Sequence, residues 1–285
     1  MIRAFQHHWP EYLIEAWALG TFMISAAVFT AVFEYPGSPF HQFLPNNTLR
    51  RAIIGLAMGL TAIGLIYSPW GQRSGAHMNP ATTLTFLRLG KVMSWDAAFY
   101  VTSQFVGGLL GVLLSKLLLG VIITHPSVSY VATVPGPAGA GVAFVAELTI
   151  AAGMMLMVLL TSNRPGLAPY TGLFAGTLVF LYILIEAPLS GMSINPARTA
   201  ASALPSGIWT SGWIYFTAPV LGMLLAAQLY QSFSATPLQA CPKFYHGTGQ
   251  RCIFCGYPGR VKGSTAPARR GVQTLDGATR ASPAR

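Results

Sequence analysis

Charge is what this sequence has least of. Only 8% of its 285 residues are Asp, Glu, Lys or Arg, and just 7 are acidic, against roughly 25% charged in soluble domains. A chain this poor in charge and 53% hydrophobic cannot clothe a water-facing surface, which excludes an ordinary soluble domain. The apolar stretches hold no nucleophile–base pair and no cluster of His and carboxylate ligands, so a membrane enzyme is not expected. No folded basic domain accompanies the net charge of +10, and nucleic-acid binding is not expected either. A cleaved leader is also disfavoured. Only Arg3 stands ahead of the first apolar run, and that run exceeds the roughly 7–15 residues of a signal-peptide core.

What the chain has in abundance is long apolar segments, near 12–33, 52–69, 97–123, 141–161, 170–189 and 211–233. Each is long enough to cross a hydrocarbon core of about 30 Å as a helix, so six spans are predicted in an integral membrane protein. Eight of the 17 Lys and Arg lie after residue 234 (Lys243, Arg251, Arg260, Lys262, Arg269, Arg270, Arg280 and Arg285), which predicts a cytoplasmic tail and, with six spans, a cytoplasmic N-terminus. Arg73, Arg88, Lys91 and Arg164 fall in linkers on that same side, the 124–138 connection on the far side has no charge, and Arg50 and Arg51 run against the bias. The basic tail would also be drawn to anionic lipid. Trp9, Trp95, Trp209 and Trp213 near span ends read as interfacial anchors.

The chain repeats itself. "SGAHMNPATT" at 74–83 and "SGMSINPART" at 190–199 each follow a Gly-rich loop and open a short apolar segment, 79–89 and 195–204, with an acid in the first helix of each half, Glu15 and Glu147. The halves, 1–125 and 139–235, meet at an uncharged loop rich in Pro, Gly, Ser and Thr. Because three spans separate equivalent helices, the halves must insert in opposite orientations, an inverted repeat. About ten residues rise roughly 15 Å, half the hydrocarbon thickness, so the two short segments would enter from opposite faces and meet near the midplane. Asn is a favoured N-cap and Pro suits the first helical position, so Asn79-Pro80-Ala81 and Asn195-Pro196-Ala197 are helix starts. Irregular backbone at that depth requires protein around it or a water-filled lumen. Arg198 facing lipid would cost about 3–17 kcal/mol, which places it in a wet or paired site.

Together these features resemble the aquaporin and glycerol-facilitator family, the major intrinsic proteins: paired Asn-Pro-Ala triplets, Arg198 after the second, the "SGAH" lead-in and the two helix-borne glutamates, over about residues 10–235. The resemblance implies an all-α membrane protein of six tilted helices plus two re-entrant half-helices. It implies a homotetramer with one pore per protomer, here of bacterial type in the cytoplasmic membrane. The implied activity is passive passage of water and possibly small neutral solutes, excluding ions and protons and needing no cofactor, with a glycerol or urea facilitator as the alternative.

Residue by residue, the resemblance assigns Glu15 and Glu147 to accepting loop N–H groups, and His77 to similar loop work, with pH gating as its alternative. The Asn79 and Asn195 amides would donate into the lumen. A four-residue constriction would consist of Ile183, Met192, Arg198 and Met58, with Gly59 as the alternative for the last. It carries neither the His usual in water channels nor the aromatic residues usual in glycerol facilitators. Thr199 in place of the facilitators' Asp, with Ala203 and the Tyr215–Phe216 pair, leans toward water. Glu186 departs from the pattern and, facing the lumen, would make the mouth friendlier to cations.

All three cysteines lie in the tail, 236–285, spaced with His246 as C-x4-H-x5-C-x2-C: Cys241, His246, Cys252 and Cys255. Four such ligands within 15 residues suit a tetrahedral zinc site, although reduced thiols or a regulated disulfide explain them as well. Either chemistry would make the channel metal- or redox-regulated. Beyond 258 the composition predicts disorder.

Overall fold

The computed structural model describes residues 1–234, 238, 241–247 and 249–259. The architecture rests on α1 (Ile2–Glu34), α2 (Asn47–Tyr67), α3 (Pro80–Arg88), α4 (Ser94–Leu119), α5 (Gly139–Ser162), α6 (Thr171–Ile185), α7 (Pro196–Ser206) and α8 (Trp213–Phe233), with no strand among the described residues. The 6 helices α1, α2, α4, α5, α6 and α8 form segments long and apolar enough to span a membrane. In hydrocarbon a backbone must satisfy its own hydrogen bonds, and a helix does so within one segment. At 9 and 11 residues, α3 and α7 reach only about half-way across. The sequence's expectation of disorder beyond 258 falls, from Arg260 onward, outside the described residues.

Two helix ends differ from the apolar stretches that predict them. The first helix starts at Ile2 instead of residue 12 because its opening turns have polar partners outside the apolar run. Tyr12 donates to Asp96 Oδ1 at 2.6 Å, and His8 Nδ1 lies 2.7 Å from the same oxygen. The fifth stretch stops at Ile185 instead of running to 189. Pro188 cannot continue a helix and starts a separate turn, Ala187–Ser190.

Packing follows the inverted repeat. In each half the first helix lies along the last, α1 on α4 and α5 on α8, while α2 meets its equivalent α6 across the pseudo-twofold. The half-helices reach across the repeat: α3 packs on α8 as well as on α4 of its own half, and α7 chiefly on α4. Small residues make these contacts possible, as lipid-embedded interfaces require. A Cβ on Gly107 would sit 2.1 Å from the Ala16 carbonyl oxygen, one on Gly222 2.3 Å from that of Leu148, and one on Gly59 2.5 Å from that of Gly176. Outward, Leu110, Leu113, Leu114 and Leu117 of α4 are exposed, as are Trp9, Trp95, Trp209 and Trp213. The two arginines that run against the charge bias have local partners. Arg50 pairs with Glu34 at 3.1 Å, and Arg51 donates to the Leu184 carbonyl at 3.0 Å.

Candidate functional site

Each re-entrant loop hangs from one buried carboxylate. Glu15 Oε1 accepts from Ser74 Oγ (2.8 Å) and His77 N (3.0 Å), while Oε2 accepts from Met78 N (2.6 Å) and Gln104 Nε2 (2.8 Å). In the other half, Glu147 Oε1 accepts from Ser190 Oγ (2.8 Å) and Ser193 N (2.6 Å), and Oε2 from Ile194 N (2.7 Å). Both carboxylates are wholly buried, so they replace water that lipid does not supply to these N–H groups. A tyrosine steadies each loop from the last helix of its half: Tyr100 donates to the Ser74 carbonyl at 2.7 Å and Tyr215 to that of Ser190 at 2.5 Å. Ala76, Met78, Met192 and Ile194 all take positive φ, between 48° and 55°. For a β-branched residue such as Ile194 that is a strained conformation, held here by the carboxylate.

The loops deliver the two half-helix starts to one point. Asn79 Oδ1 caps α3 by accepting from Ala81 N at 2.9 Å, and Asn195 Oδ1 caps α7 by accepting from Ala197 N at 3.0 Å and Arg198 N at 3.2 Å. Across the junction Asn79 Nδ2 donates to the Ile194 carbonyl and Asn195 Nδ2 to that of Met78, each at 2.7 Å. The tips therefore touch. The crossed bonds also modify the sequence's expectation for the amides: each amide has two hydrogens, one is engaged across the junction, and one is left for the lumen.

A cavity of about 450 Å³ runs past this junction, lined by Asn79, Asn195, Met58, Ile183, Met192 and Arg198 among others. Met58 lines it, whereas Gly59 faces the Gly176 carbonyl on α6, so the lumen-facing residue of that pair is Met58. Arg198 Nη1 is buried with no protein acceptor, a donor available to whatever passes. Glu186 is buried and is not part of the lining. The loop between the halves also contributes: Ser127, Val128 and Val131 line the cavity, and Thr133 Oγ1 lies 2.9 Å from Thr199 Oγ1.

The family model for major intrinsic proteins matches residues 6–230. The chain belongs to the major intrinsic protein family. Among similar relatives, aquaporin NIP1-1 of Arabidopsis thaliana is 35% identical over 206 residues, covering 70% of this chain and 68% of the relative. Aquaporin NIP2-2 of Zea mays is 33% identical, covering 74% and 71%. In fold the chain resembles the aquaglyceroporin from Plasmodium falciparum, with a TM-score of 0.67 at 21% identity over 79% of this chain and 96% of that one.

For a major intrinsic protein, the tail side is the part sequence reasoning misses. His77 Nε2 lies 2.9 Å from the Pro242 carbonyl, which can only accept, so Nε2 carries the proton; Nδ1 faces Thr83 Oγ1 at 3.1 Å. Arg251 bridges to Glu11 with bonds of 3.1 Å to both carboxylate oxygens, beside Arg73 at 3.0 Å, and Phe244 joins the cavity lining. Nothing in the local sequence links residue 251 to residue 11. The four tail ligands do come together: Cys241, His246, Cys252 and Cys255 place their ligand atoms within 4.8 Å of one another. Their hydrogen bonding with Cys241 lowers the thiols of Cys252 and Cys255 and raises that of Cys241.

Proposed function

We propose that the cavity is a passive pore for water, with small uncharged solutes of the glycerol or urea class as further cargo, and that it rejects ions and protons. The observation that carries this reading is the meeting of two capped half-helix starts in a cavity whose walls are otherwise mainly apolar. The lining runs from Phe244 on the tail side past Asn79 and Asn195 to Arg198 and Ser127, so water has a path past the junction. Each half-helix presents about half a positive charge at the junction, so a cation there loses hydration and meets repulsion. A water accepting the remaining hydrogen of both Asn79 and Asn195 points its own hydrogens away from the junction, which interrupts proton hopping. Toward the far mouth, Arg198 supplies a charged donor between the aliphatic Met58, Ile183 and Met192. That set orients a neutral polar solute without the aromatic wall that would select an alkyl backbone. We further propose a homotetramer with both termini cytoplasmic, in a bacterial cytoplasmic membrane.

Stopped-flow shrinkage of proteoliposomes under water, glycerol and urea gradients tests the reading. The expected order is water fastest, then the neutral solutes, with no cation current. The full chain is measured beside Phe244→Ala, which removes the one tail side chain that lines the cavity among the described residues. Empty-vesicle rates in both would overturn the pore assignment.

A further inference from the structure

We propose that Cys241, His246, Cys252 and Cys255 bind a zinc-class divalent cation, and that this metal holds Phe244 as a plug in the tail-side end of the cavity. The gating half of the proposal rests on the pore reading above; the metal half does not.

The ligand atoms come first. Cys241 Sγ and Cys252 Sγ lie 3.3 Å apart, His246 Nε2 and Cys255 Sγ 3.2 Å apart, and every pair falls within 4.8 Å. A tetrahedron with bonds of about 2.0–2.3 Å has edges of roughly 3.3–3.8 Å, so small adjustments seat an ion among all four. Three sulfurs and one imidazole suit zinc and exclude magnesium and calcium, which need oxygen ligands. The backbone is arranged for this. Cys252 N donates to the Tyr257 carbonyl at 2.8 Å and Gly256 N to that of Cys252 at 3.1 Å, closing a tight turn around the C-x2-C pair.

The segment needs a staple. Its described residues, 241–247 and 249–259, contain no helix or strand, and a piece of chain this short cannot build a core of its own. Yet it is firmly seated. Lys243, only 4% exposed, donates to the Gln72 carbonyl at 2.8 Å, and Phe244 N donates to the Gly75 carbonyl at 3.3 Å. The Phe254 ring stacks on His77 with centroids 6.0 Å apart, and Arg251 reaches Glu11. Between these attachments the Phe244 ring lies 7% exposed, lining the same cavity as His77 and Asn79. Four ligands drawn from both sides of Phe244, one before it and three after, fix the loop that carries it. Removing the metal frees that loop and releases the ring from the lumen.

The test uses the full chain, purified under reducing conditions. Elemental analysis should find about one zinc per chain, with a Kd at or below about 50 nM. Cys252→Ser combined with Cys255→Ser should lose that binding, and magnesium should not replace zinc. In proteoliposomes the zinc-loaded chain should pass water slowly, chelation should speed it several-fold, and added zinc should slow it again. Phe244→Ala should keep its zinc and run fast with or without chelator. Absence of zinc binding, or a Cys241–Cys252 disulfide in its place seen as a chain two hydrogens lighter, overturns the metal site. Zinc bound with flux indifferent to chelation overturns the plug. Empty-vesicle rates in Phe244→Ala at every metal level would instead defeat the pore reading.

Discussion

The loop before α3 and the loop before α7 hang from the same supports: a glutamate on the first helix of the half, a serine hydroxyl in the loop and a tyrosine from the last helix. They part company at a few positions. His77 stands where the second loop has Ser193, and it reaches outward to the tail, whereas Ser193 Oγ turns inward to Thr199 Oγ1 at 2.6 Å. Arg198 stands where the first half-helix has Thr82, whose hydroxyl contacts Met223 Sδ. Shared residues hold the backbone at membrane depth; unshared residues give the two mouths different work. One end receives the tail, and the other presents a guanidinium.

That division can be broken by substitution. The largest effect is expected where the halves agree. Glu147→Ala strands the Ser190 hydroxyl and the N–H groups of Ser193 and Ile194, and at about 1–3 kcal/mol for each unpaired buried group it should prevent recovery of folded protein. Glu15→Ala should do the same, and thermal unfolding followed by size exclusion in detergent would show it; a well-folded Glu15→Ala beside an unfolded Glu147→Ala would end the equivalence. Next come Gly107→Val and Gly222→Val, which force side chains into carbonyl oxygens and should each destabilise by about 1–3 kcal/mol or more. Where the halves differ, function should move more than stability. Arg198→Ala should fold, keep its water flux and admit larger neutral solutes and some cations, while Thr82→Ala should leave the glycerol-to-water ratio unchanged in the same vesicle assay. Smallest in stability is His77→Ser, which copies the second loop into the first. It should lower the melting free energy by on the order of 1 kcal/mol while loosening the tail, seen as faster proteolysis near residue 250.

Much of the fold is legible in the sequence because lipid imposes simple demands. Span length, the Asn-Pro-Ala helix starts and the two glutamates each follow from the need to satisfy backbone groups without water. The meeting of the triplets follows from helix rise together with the opposed insertion of the two halves. What the sequence does not disclose are contacts between distant segments. The Arg251–Glu11 bridge, the entry of Phe244 into the lumen and the folding of residues 126–134 over the far mouth leave no local periodicity. Tyr100 and Tyr215 are an intermediate case. Aligning the halves on Ser74 and Ser190 brings the two tyrosines to within one position of each other, a signal the repeat contains but composition hides.

The reach of each half-helix into the other half has a consequence for biogenesis. Since α3 lies between α8 and its own α4, and α7 seats chiefly on α4, neither half has a finished interior alone. A ribosome that has released only the first half has produced a hairpin tied to Glu15 and Tyr100 of its own half but with the face that meets α8 still bare, and that face stays unpacked until the last helix arrives. Split at the connection near residue 130 and produced as two polypeptides, the halves should resist degradation only when made together.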